Sequence, residues 1–410
     1  MGDSVNTEQA LSAPPEQLAV RCVLMRGGTS KGLYFHEADL PASGPRRDRL
    51  LRRAMGTPDG MQIDGLGGSR LVTSKVAIIG RSTRPDTDVD YTFAQLEIER
   101  DGIGYDGNCG NISAGVGPFA VDEGLVVATE PVTTVRIFNT NTGKMLRAQV
   151  PVAHGKARVT GDCRIAGVPG TGAEILMDYT DTIGARTGKL LPTGNPADRV
   201  ELEDGSVVQA TLCDAGNPCV FVHARDVGLE GNELPTEIMT NQAALTRILE
   251  IQSKASVLLG FHDDWRKAVK VGLPLFVLVA QTARYARTSD DQQAADSFDL
   301  HARLLFLGKC HDSMAGTGAI CTAAASRIRG SVVAQVLSEN SRALRQLRIG
   351  HPLGVMEITV ETEVPGGDVP VRFIALGFGR TARRLMDGCL YVPSADFDSL
   401  ADEPCGMRSN

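Results

Sequence analysis

The chain has 410 residues, 42% of them hydrophobic and 22% charged, with a formal net charge of −7 at pH 7. A mean hydropathy of −0.07 and a pI of about 5.6 are typical of a globular protein with enough apolar residues for a large core. The sequence shows no basic run, no apolar segment long enough to span a bilayer and no signal peptide. Composition therefore argues against nucleic-acid and membrane partners and favours a cytoplasmic location.

Nine cysteines are scattered along the chain, without a C-x-x-C pair or a histidine cluster at zinc-binding spacing. An odd number of dispersed cysteines in a long chain is typical of reduced thiols in the cytoplasm. The sequence therefore predicts no zinc site. It leaves the oligomeric state open between a monomer and a homodimer.

Short β-branched runs separated by turn residues predict a strand-rich chain with a few helices. Residues 1–19 are polar and contain prolines, which is typical of a disordered tail. The mixed order of strands and helices predicts an α+β fold and not a doubly wound sheet. The predicted strands are Val20–Leu24, Lys75–Gly80, Tyr91–Glu99, Thr133–Asn139, Leu146–Val152, Val207–Cys213, Cys219–His223, Phe276–Ala280, Met356–Glu363 and Val369–Phe378. The predicted helices are Pro45–Met55, Asn111–Asp122, Asn241–Leu259, Ala315–Arg327 and Ser331–Asn340.

The first predicted strand is followed by a loop, Met25-Arg26-Gly27-Gly28-Thr29-Ser30-Lys31-Gly32. It offers two cations, two hydroxyl groups and a permissive backbone within eight residues. This crowding of donors favours ligand binding over a plain turn.

The second predicted strand contains Lys75 in an otherwise apolar run, Leu71 to Ile79. Burial of the amine would lower its pKa toward the range useful for proton transfer. The alternative is a lysine at the first position of the strand with its amine in solvent.

A thiol at the start of a helix is the most unusual feature of the first half. Cys109 lies between Asn108 and Gly110, just before an apolar segment that ends at Asp122. Unpaired backbone amides at a helix start favour negative charge, so this site would stabilise a thiolate or bind a carboxylate or phosphate. The alternative is a small cysteine in the core.

The second half contains similar features about two hundred residues later. Ser313 to Cys321 again places glycines ahead of an Ala-rich apolar helix, and Asp214-Ala215-Gly216-Asn217-Pro218 resembles the loop after the first strand. Two such sites indicate internal pseudo-symmetry. No phosphate loop or dinucleotide-binding glycine motif follows a strand, which argues against a nucleotide site. Close helix packing is the alternative explanation for the second glycine cluster.

Seven motifs in a fixed order resemble those of the PrpF family, which includes methylaconitate cis-trans isomerase, oxalomesaconate tautomerase and methylitaconate Δ-isomerase. The resemblance covers residues 20 to 393. It implies the diaminopimelate-epimerase-like fold, in which two pseudo-symmetric domains each wrap a β-roll or barrel around a central helix, with the active site between them. It also implies no cofactor and no metal. The motifs are Arg26–Gly32, Ile63–Gly68, Thr73–Val76, Asp106–Asn111, Asp214–Pro218, His351–Pro352 and Arg380–Met386.

The resemblance implies that Lys75 and Cys109 are the catalytic pair. Epimerases of this fold carry a second cysteine at the second helix start, where this chain has Ala315, so a two-base epimerase is disfavoured. We expect the substrate to be bound by hydroxyl, amide and backbone groups around the two helix starts. The expected binding residues are Thr29, Ser30, Ser74, Asn108, Gly110, Asn111, Asn217, Gly316, Thr317 and Gly318.

These residues predict a cofactor-independent isomerase that moves a C=C bond by 1,3-allylic proton transfer in a small unsaturated di- or tricarboxylate, such as an oxalomesaconate-, methylitaconate- or aconitate-like acid. The alternatives are cis-trans isomerisation of 2-methylaconitate or aconitate and a non-catalytic carboxylate-binding protein. The sequence does not decide which of Lys75 and Cys109 is the base.

The domain boundaries follow from the Gly-, Thr- and Pro-rich stretch 184–196. They place a first domain at residues 20–190 plus 372–398 and a second domain at 191–371. Of the remaining motifs, Arg380–Met386 would attract substrate or pair with acidic residues, and we favour the structural role. His351 is expected to make a loop or core contact, because Lys75 and Cys109 already supply the acid and base.

Overall fold

Strands dominate the structure, a computed structural model that describes residues 15–268, 272–287, 292–363 and 371–398. The strands are β1 (Gln17–Gly27), β2 (Ser30–His36), β3 (Lys75–Arg81), β4 (Val89–Leu96), β5 (Ile103–Gly104), β6 (Val132–Asn139), β7 (Lys144–Ala153), β8 (Lys156–Ala157), β9 (Ile175–Asp178), β10 (Asp198–Glu201), β11 (Val207–Ala215), β12 (Asn217–His223), β13 (Leu275–Ala280), β14 (Tyr285–Ala286), β15 (Gln292–Gln293), β16 (Leu300–Phe306), β17 (Lys309–Cys310), β18 (Gln346–His351), β19 (Gly354–Glu363), β20 (Arg372–Arg380) and β21 (Ala382–Pro393). The helices are α1 (Pro45–Met55), α2 (Gly110–Asp122), α3 (Pro235–Thr240), α4 (Gln242–Leu258), α5 (Gly316–Ser326), α6 (Val332–Gln335), α7 (Glu339–Ala343) and α8 (Ala395–Asp398).

Two helices are buried along almost their whole length. Residues 110–121 of α2 and all of α5 are buried. A helix that is apolar on every face must be enclosed by other elements. Accordingly, α2 packs against β1, β2, β3, β6 and β7, and α5 packs against β11, β12, β19 and β20. Each half of the protein is therefore a sheet wrapped around a central helix.

The two halves repeat the same order of strand pairings. In the first, β1 and β2 form a hairpin, β2 pairs with β3 in parallel, β3 with β4 antiparallel, β4 with β6 in parallel and β6 with β7 antiparallel. The second half repeats these relations through β11, β12, β13, β16, β18 and β19. The predicted α+β class and pseudo-symmetry are confirmed.

β20 joins the halves, because it pairs with β19 on one side and with β9 on the other. The next strand, β21, returns to pair with β1. The boundary placed at residue 371 therefore falls just before a strand that belongs to both halves by hydrogen bonding. The domain limits remain a prediction.

Four of the five predicted helices are present within about one residue of their expected ends. The prediction of one helix over Ser331–Asn340 is wrong. The chain forms α6 and then α7, because the Ser338 side chain accepts a hydrogen bond from Ser341 N–H and starts a new helix there.

The loop predicted at residues 25–32 is also wrong, since it is a tight hairpin between β1 and β2. Arg26 pairs with Lys31 and Gly27 with Ser30, which leaves Gly28 and Thr29 as the turn. The predicted strand Val369–Phe378 begins in a segment outside the described residues, and its remainder lies in β20. None of the described helices combines the length and the apolar character needed to cross a membrane.

Candidate active site

The β1–β2 turn lies directly on the first turn of α2. Gly28 has φ +52°, and a Cβ on it would stand 2.3 Å from Asn111 Oδ1. The next backbone amide, Thr29 N–H, donates to the same Oδ1 at 3.4 Å. Only glycine fits this close approach, so the hairpin and the helix start form one unit.

Cys109 is the N-cap residue of α2. It is partly buried and its side chain makes no capping hydrogen bond. The expected position of a thiol at a helix start is thus observed. Its thiol adjoins the first backbone N–H groups of the helix, which favour negative charge.

Lys75 is the first residue of β3 and is buried, with 5% of its surface exposed. Its Nζ donates a 2.6 Å hydrogen bond to Gln95 Oε1 and lies 5.2 Å from the centre of the Phe93 ring. Among the described residues, no carboxylate forms an ion pair with it. The lysine is the first residue of its strand, as the second interpretation of the sequence expects, but its amine is buried, as the first interpretation expects.

Gln95 holds the lysine in a fixed orientation. Its Nε2 donates to the carbonyl oxygens of Leu71, Ser74 and Leu96 at 3.0–3.2 Å, which directs Oε1 toward Lys75. An amide whose donors are committed to backbone carbonyls can only accept from the amine. Gln95 is thus a positioning residue.

Polar contacts link His311 through Ser313 to the hairpin turn above the start of α2. The pKa of His311 is lowered to about 4, mainly by burial and in addition by the positive charge of Lys75. His311 Nδ1 accepts from Ser313 N–H at 3.0 Å, which places the proton of the neutral ring on Nε2. Ser313 Oγ lies 3.0 Å from Thr29 Oγ1 in the hairpin turn above α2.

The starts of α2 and α5 touch. A Cβ on Gly110 would be 2.9 Å from Gly316 Cα, and one on Gly316 would be 3.0 Å from Gly110 Cα. Glycine at both positions allows the two sets of unpaired N–H groups to converge. Two helix starts that meet in this way form a site suited to an anion.

Asn108, Asn217 and Thr317 tie the helix starts together. Asn217 Oδ1 accepts from Asn108 N–H at 3.0 Å, and its Nδ2 donates to Asn108 O at 2.8 Å and to Thr317 Oγ1 at 2.9 Å. The sequence predicts that these groups bind substrate directly. Because they are bonded to one another, we interpret them as positioning residues.

The other expected binding residues differ in what their side chains contact. Ser74 Oγ donates to Gln62 Oε1 at 2.7 Å, and Leu304 fills the space where a Gly318 side chain would stand, so substrate contact by Ser74 or by the Gly318 backbone stays a prediction. By contrast, Ser30 Oγ and Asn111 Nδ2 are buried and have no hydrogen-bond partner among the described residues. Polar atoms of this kind at a predicted ligand site are candidates for ligand contacts.

The Asp214–Pro218 hairpin has two separate roles. Asp214 Oδ2 accepts from Arg186 N–H, Thr187 N–H and Thr187 Oγ1 at 2.7–2.8 Å, which fixes the predicted crossover segment. Asn217, three residues later, belongs to the contact between the helices. Asp214 is therefore structural.

No thiol occupies the start of α5, where the N-cap residue is Ala315. Cys310 is buried on β17, and Cys321 is buried in the second turn of α5 with its Sγ donating to Cys213 O at 3.1 Å. Neither replaces the cysteine of a two-base epimerase.

A cavity of about 640 Å³ borders this cluster. Thr29 and Ser313 lie at its edge, and Arg380, Met356 and side chains of β9, β19 and β20 form much of the remainder. Lys75 and Cys109 are not among its lining residues. The cavity therefore meets the polar cluster at Thr29 and Ser313 and not at the proposed catalytic pair.

The Arg380–Met386 motif contains one arginine paired with acidic residues and one buried arginine. Arg384 pairs with Glu123 and Asp387, so acidic pairing is correct for that residue. Arg380 is 6% exposed and forms no ion pair with any described residue. His351 is buried, with its pKa lowered to about 3 by burial and by the Arg380 charge, and its Nδ1 accepts from Leu353 N–H at 3.2 Å. This fits the expected core contact.

Sequence reasoning omitted Gln95, His311, Ser313 and Arg380 from the site. The available signals were a glutamine inside an apolar strand, a serine just before the second helix start and an arginine at the end of a strand. The place of these residues in the site is recognisable only from their contacts with residues far away in the chain.

Comparison with known proteins gives a family and two classes of close relative. The family model described as "PrpF protein" matches residues 17–393. The chain is 47% identical over 383 residues to 3-methylitaconate isomerase of Eubacterium barkeri, covering 93% of this chain and 99% of that protein. It is 42% identical over 377 residues to 4-oxalomesaconate tautomerase of Pseudomonas putida strain KT2440, and this match covers 92% of this chain and 97% of that protein.

Two solved structures resemble the fold. A methylitaconate-delta-isomerase aligns with TM-score 0.76 and 44% identity over 97% of this chain and 99% of that one. A probable proline racemase from Agrobacterium radiobacter K84 aligns with TM-score 0.54 and 14% identity over 93% of this chain and 95% of that one. At this low identity the similarity concerns the fold alone. The predicted diaminopimelate-epimerase-like architecture is confirmed.

Proposed function

The chain belongs to the PrpF family, and from that premise we propose that it is an isomerase that moves a C=C bond along a small unsaturated di- or tricarboxylate. The observation that carries the proposal is a buried lysine oriented by Gln95, together with a cysteine at the first of two touching helix starts. The named relatives are isomerases and a tautomerase that differ in the acid in their names. They support the reaction class more strongly than any single substrate.

The proposed reaction is a proton transfer between two carbons of an allylic unit. One member of the Lys75/Cys109 pair removes the proton from the allylic carbon, and the electron pair of that C–H bond moves through the double bond to form a dienolate. The other member delivers a proton to the far carbon. The double bond has then moved by one position, and the composition of the substrate is unchanged.

The dienolate carries its negative charge on a carboxylate or keto oxygen. We propose that the first backbone N–H groups of α2 and α5 stabilise that charge, because they have no partner within their helices. Gln95 keeps the lysine amine in a fixed orientation throughout. This scheme uses only groups of the chain, so we propose that activity persists after dialysis against EDTA.

Cis-trans isomerisation is the second candidate and begins with the same proton removal. The dienolate would rotate about its weakened bond and regain the proton at the original carbon. A site with one thiol and one amine is compatible with either outcome. The two reactions differ in the final position of the double bond, which proton NMR reports directly.

We also propose a cytoplasmic location and a small carboxylic acid as the partner. The location rests on the odd number of dispersed cysteines in the sequence. A homodimer remains one of two options for the assembly, and sedimentation of the purified protein distinguishes it from a monomer.

The test is turnover of a panel of unsaturated di- and tricarboxylates in deuterated water, followed by proton NMR. Lys75→Met and Cys109→Ala should each lower the rate by about 10²- to 10⁴-fold, the contribution typical of a general acid or base. Lys267→Met and Cys389→Ala are matched controls at exposed positions and should keep the wild-type rate. Full activity in both site variants would sink the proposed pair. A wild-type protein that binds these acids without turnover would be a binding protein.

A further inference from the structure

Arg380 is a buried cation for which the described chain supplies no counterion. It ends β20 with 6% of its surface exposed, and no carboxylate of the described residues lies within ion-pair distance of it. Burial lowers the pKa of its guanidinium to about 10, so the group still carries its charge at neutral pH. A buried charge is normally paired, because its transfer out of water is unfavourable.

The contacts of the guanidinium are weak or incomplete. Nε donates to Asn111 Oδ1 at 3.1 Å, and Nη1 donates to Gly379 O at 2.9 Å. Nη2 faces Met356 Sδ at 2.6 Å, and a thioether is a poor acceptor. An arginine has five N–H donors in a planar fork, so further donors remain for a ligand.

The position of Arg380 relates it to both the catalytic cluster and the cavity. Asn111, its partner, lies two residues after Cys109 in the first turn of α2, and Arg380 itself lines the cavity. Gly28 of the hairpin turn also faces it, since a Cβ there would stand 3.1 Å from Arg380 Cδ. A molecule held at the helix starts and extending into the cavity would therefore meet this side chain.

We propose that Arg380 binds a second carboxylate of the substrate, the one remote from the carboxylate held by the paired helix starts, and thereby selects di- and tricarboxylates over monocarboxylates. The proposal rests on the proposed isomerase function and names the residue that determines its substrate class. It replaces the structural role expected for Arg380 from the sequence.

A carboxylate fits this position better than other groups. Its two oxygens match the planar guanidinium fork. The Oδ1 atom of Asn111 already accepts hydrogen bonds from Arg380 and Thr29. Its buried Nδ2 atom has no acceptor among the described residues, and a carboxylate oxygen would provide one. The exposed side chains of Glu174 and Glu357 also line the cavity and would repel an anion. The favourable position for a carboxylate is therefore the guanidinium itself.

The experiment compares binding of two saturated five-carbon acids, glutarate and pentanoate, by isothermal titration calorimetry at constant ionic strength. Neither probe has an allylic proton, so the measurement is independent of turnover. The wild-type protein should bind glutarate about ten- to a hundredfold more tightly than pentanoate, the range for a hydrogen-bonded charge pair. Arg380→Met should abolish this difference. Arg372→Met, at the exposed other end of β20, should retain it.

Equal affinity of the wild-type protein for the two acids would overturn the proposal, as would discrimination that survives in Arg380→Met. If circular dichroism shows that Arg380→Met is unfolded, a crystal structure of the wild-type protein with glutarate decides. A carboxylate within hydrogen-bond distance of the guanidinium supports the assignment, and its absence there refutes it. Discrimination without deuterium exchange on any unsaturated acid would refute only the isomerase function.

Discussion

Lys75 shows how one polar neighbour can make a buried amine useful. The contact that orients this amine is the neutral amide of Gln95, and no carboxylate of the described residues pairs with it. Of the three carbonyl groups that hold Gln95, those of Leu71 and Ser74 precede β3 and that of Leu96 ends β4. The orientation of the lysine is therefore built into the sheet.

Replacement of Gln95 by leucine tests this role. We expect Gln95→Leu to lower kcat about ten- to a hundredfold, because the amine loses its only strong contact among the described residues. We also expect a loss of about 1–3 kcal/mol in unfolding free energy, since buried carbonyl groups lose their donor. Steady-state kinetics and urea unfolding give the two quantities. Unchanged kcat in a folded variant would show that the amide does not position the lysine.

The sequence allowed part of the site to be predicted at this scale. The helix-start position of Cys109 depends on neighbouring residues in the chain and was predicted, whereas the sequence left the burial of Lys75 open. Gln95 and Arg380 act through partners that are twenty and 269 residues away. No local pattern identifies such partners.

At the scale of elements, the β1–β2 hairpin connects Arg380 and Ser313 with the start of α2. Its turn contacts Asn111 and Arg380 through Gly28 and contacts Ser313 through Thr29. Its sequence predicts a loop because its glycines and charges hide the alternation typical of strands. Ligand binding by its residues stays a prediction.

Gly28→Ala should lower kcat/KM by at least about tenfold. The new Cβ would occupy the position of Asn111 Oδ1 and displace the amide from Arg380, in addition to the strain of a positive φ. Gly124→Ala is the matched control, because Gly124 also has positive φ, 68°, and a Cβ added there would meet no atom within 4 Å. It should lose about 1 kcal/mol of stability and keep its activity. Equal kinetic effects in the two variants would contradict the proposed contact.

Other elements were missed because buried polar residues interrupt the apolar pattern. β16 has the sequence Leu-His-Ala-Arg-Leu-Leu-Phe, and its His301 and Arg303 are 1% and 0% exposed. Arg303 is accommodated by the carbonyl oxygens of Glu233, Ala302 and Gly350. A strand prediction that assumes charged side chains to be exposed cannot anticipate a buried arginine of this kind. The fully apolar helices α2 and α5 were predicted well for the opposite reason.

Across the whole molecule, three buried histidines should govern stability in mild acid. Burial is the main cause that lowers the pKa of His301 and His311 to about 4 and that of His351 to about 3. The unfolded chain takes up these protons below the ordinary pKa of about 6.5, while the folded protein does not until the pH is near 4 or lower. Stability is therefore fully present above about pH 6.5 and falls as the pH decreases through this window.

We expect the unfolding free energy to fall by up to about 1.4 kcal/mol per pH unit for each histidine. Urea unfolding between about pH 7 and pH 5 isolates this effect, since carboxylates titrate mainly at lower pH. His301→Gln should reduce the slope, and His262→Gln, at an exposed position, should not. A stability that is constant over this range would contradict the prediction.

The contact between Gly110 and Gly316 has a further consequence for how the protein should be handled. Each helix start carries about half a unit of positive charge, so their contact concentrates roughly one unit at a single point. We expect small buffer anions such as phosphate and sulfate to bind there, to raise the melting temperature by mass action and to compete with the proposed substrate. The choice of buffer thus becomes an experimental variable, and kinetic constants for this protein will be comparable only between solutions of the same anion content.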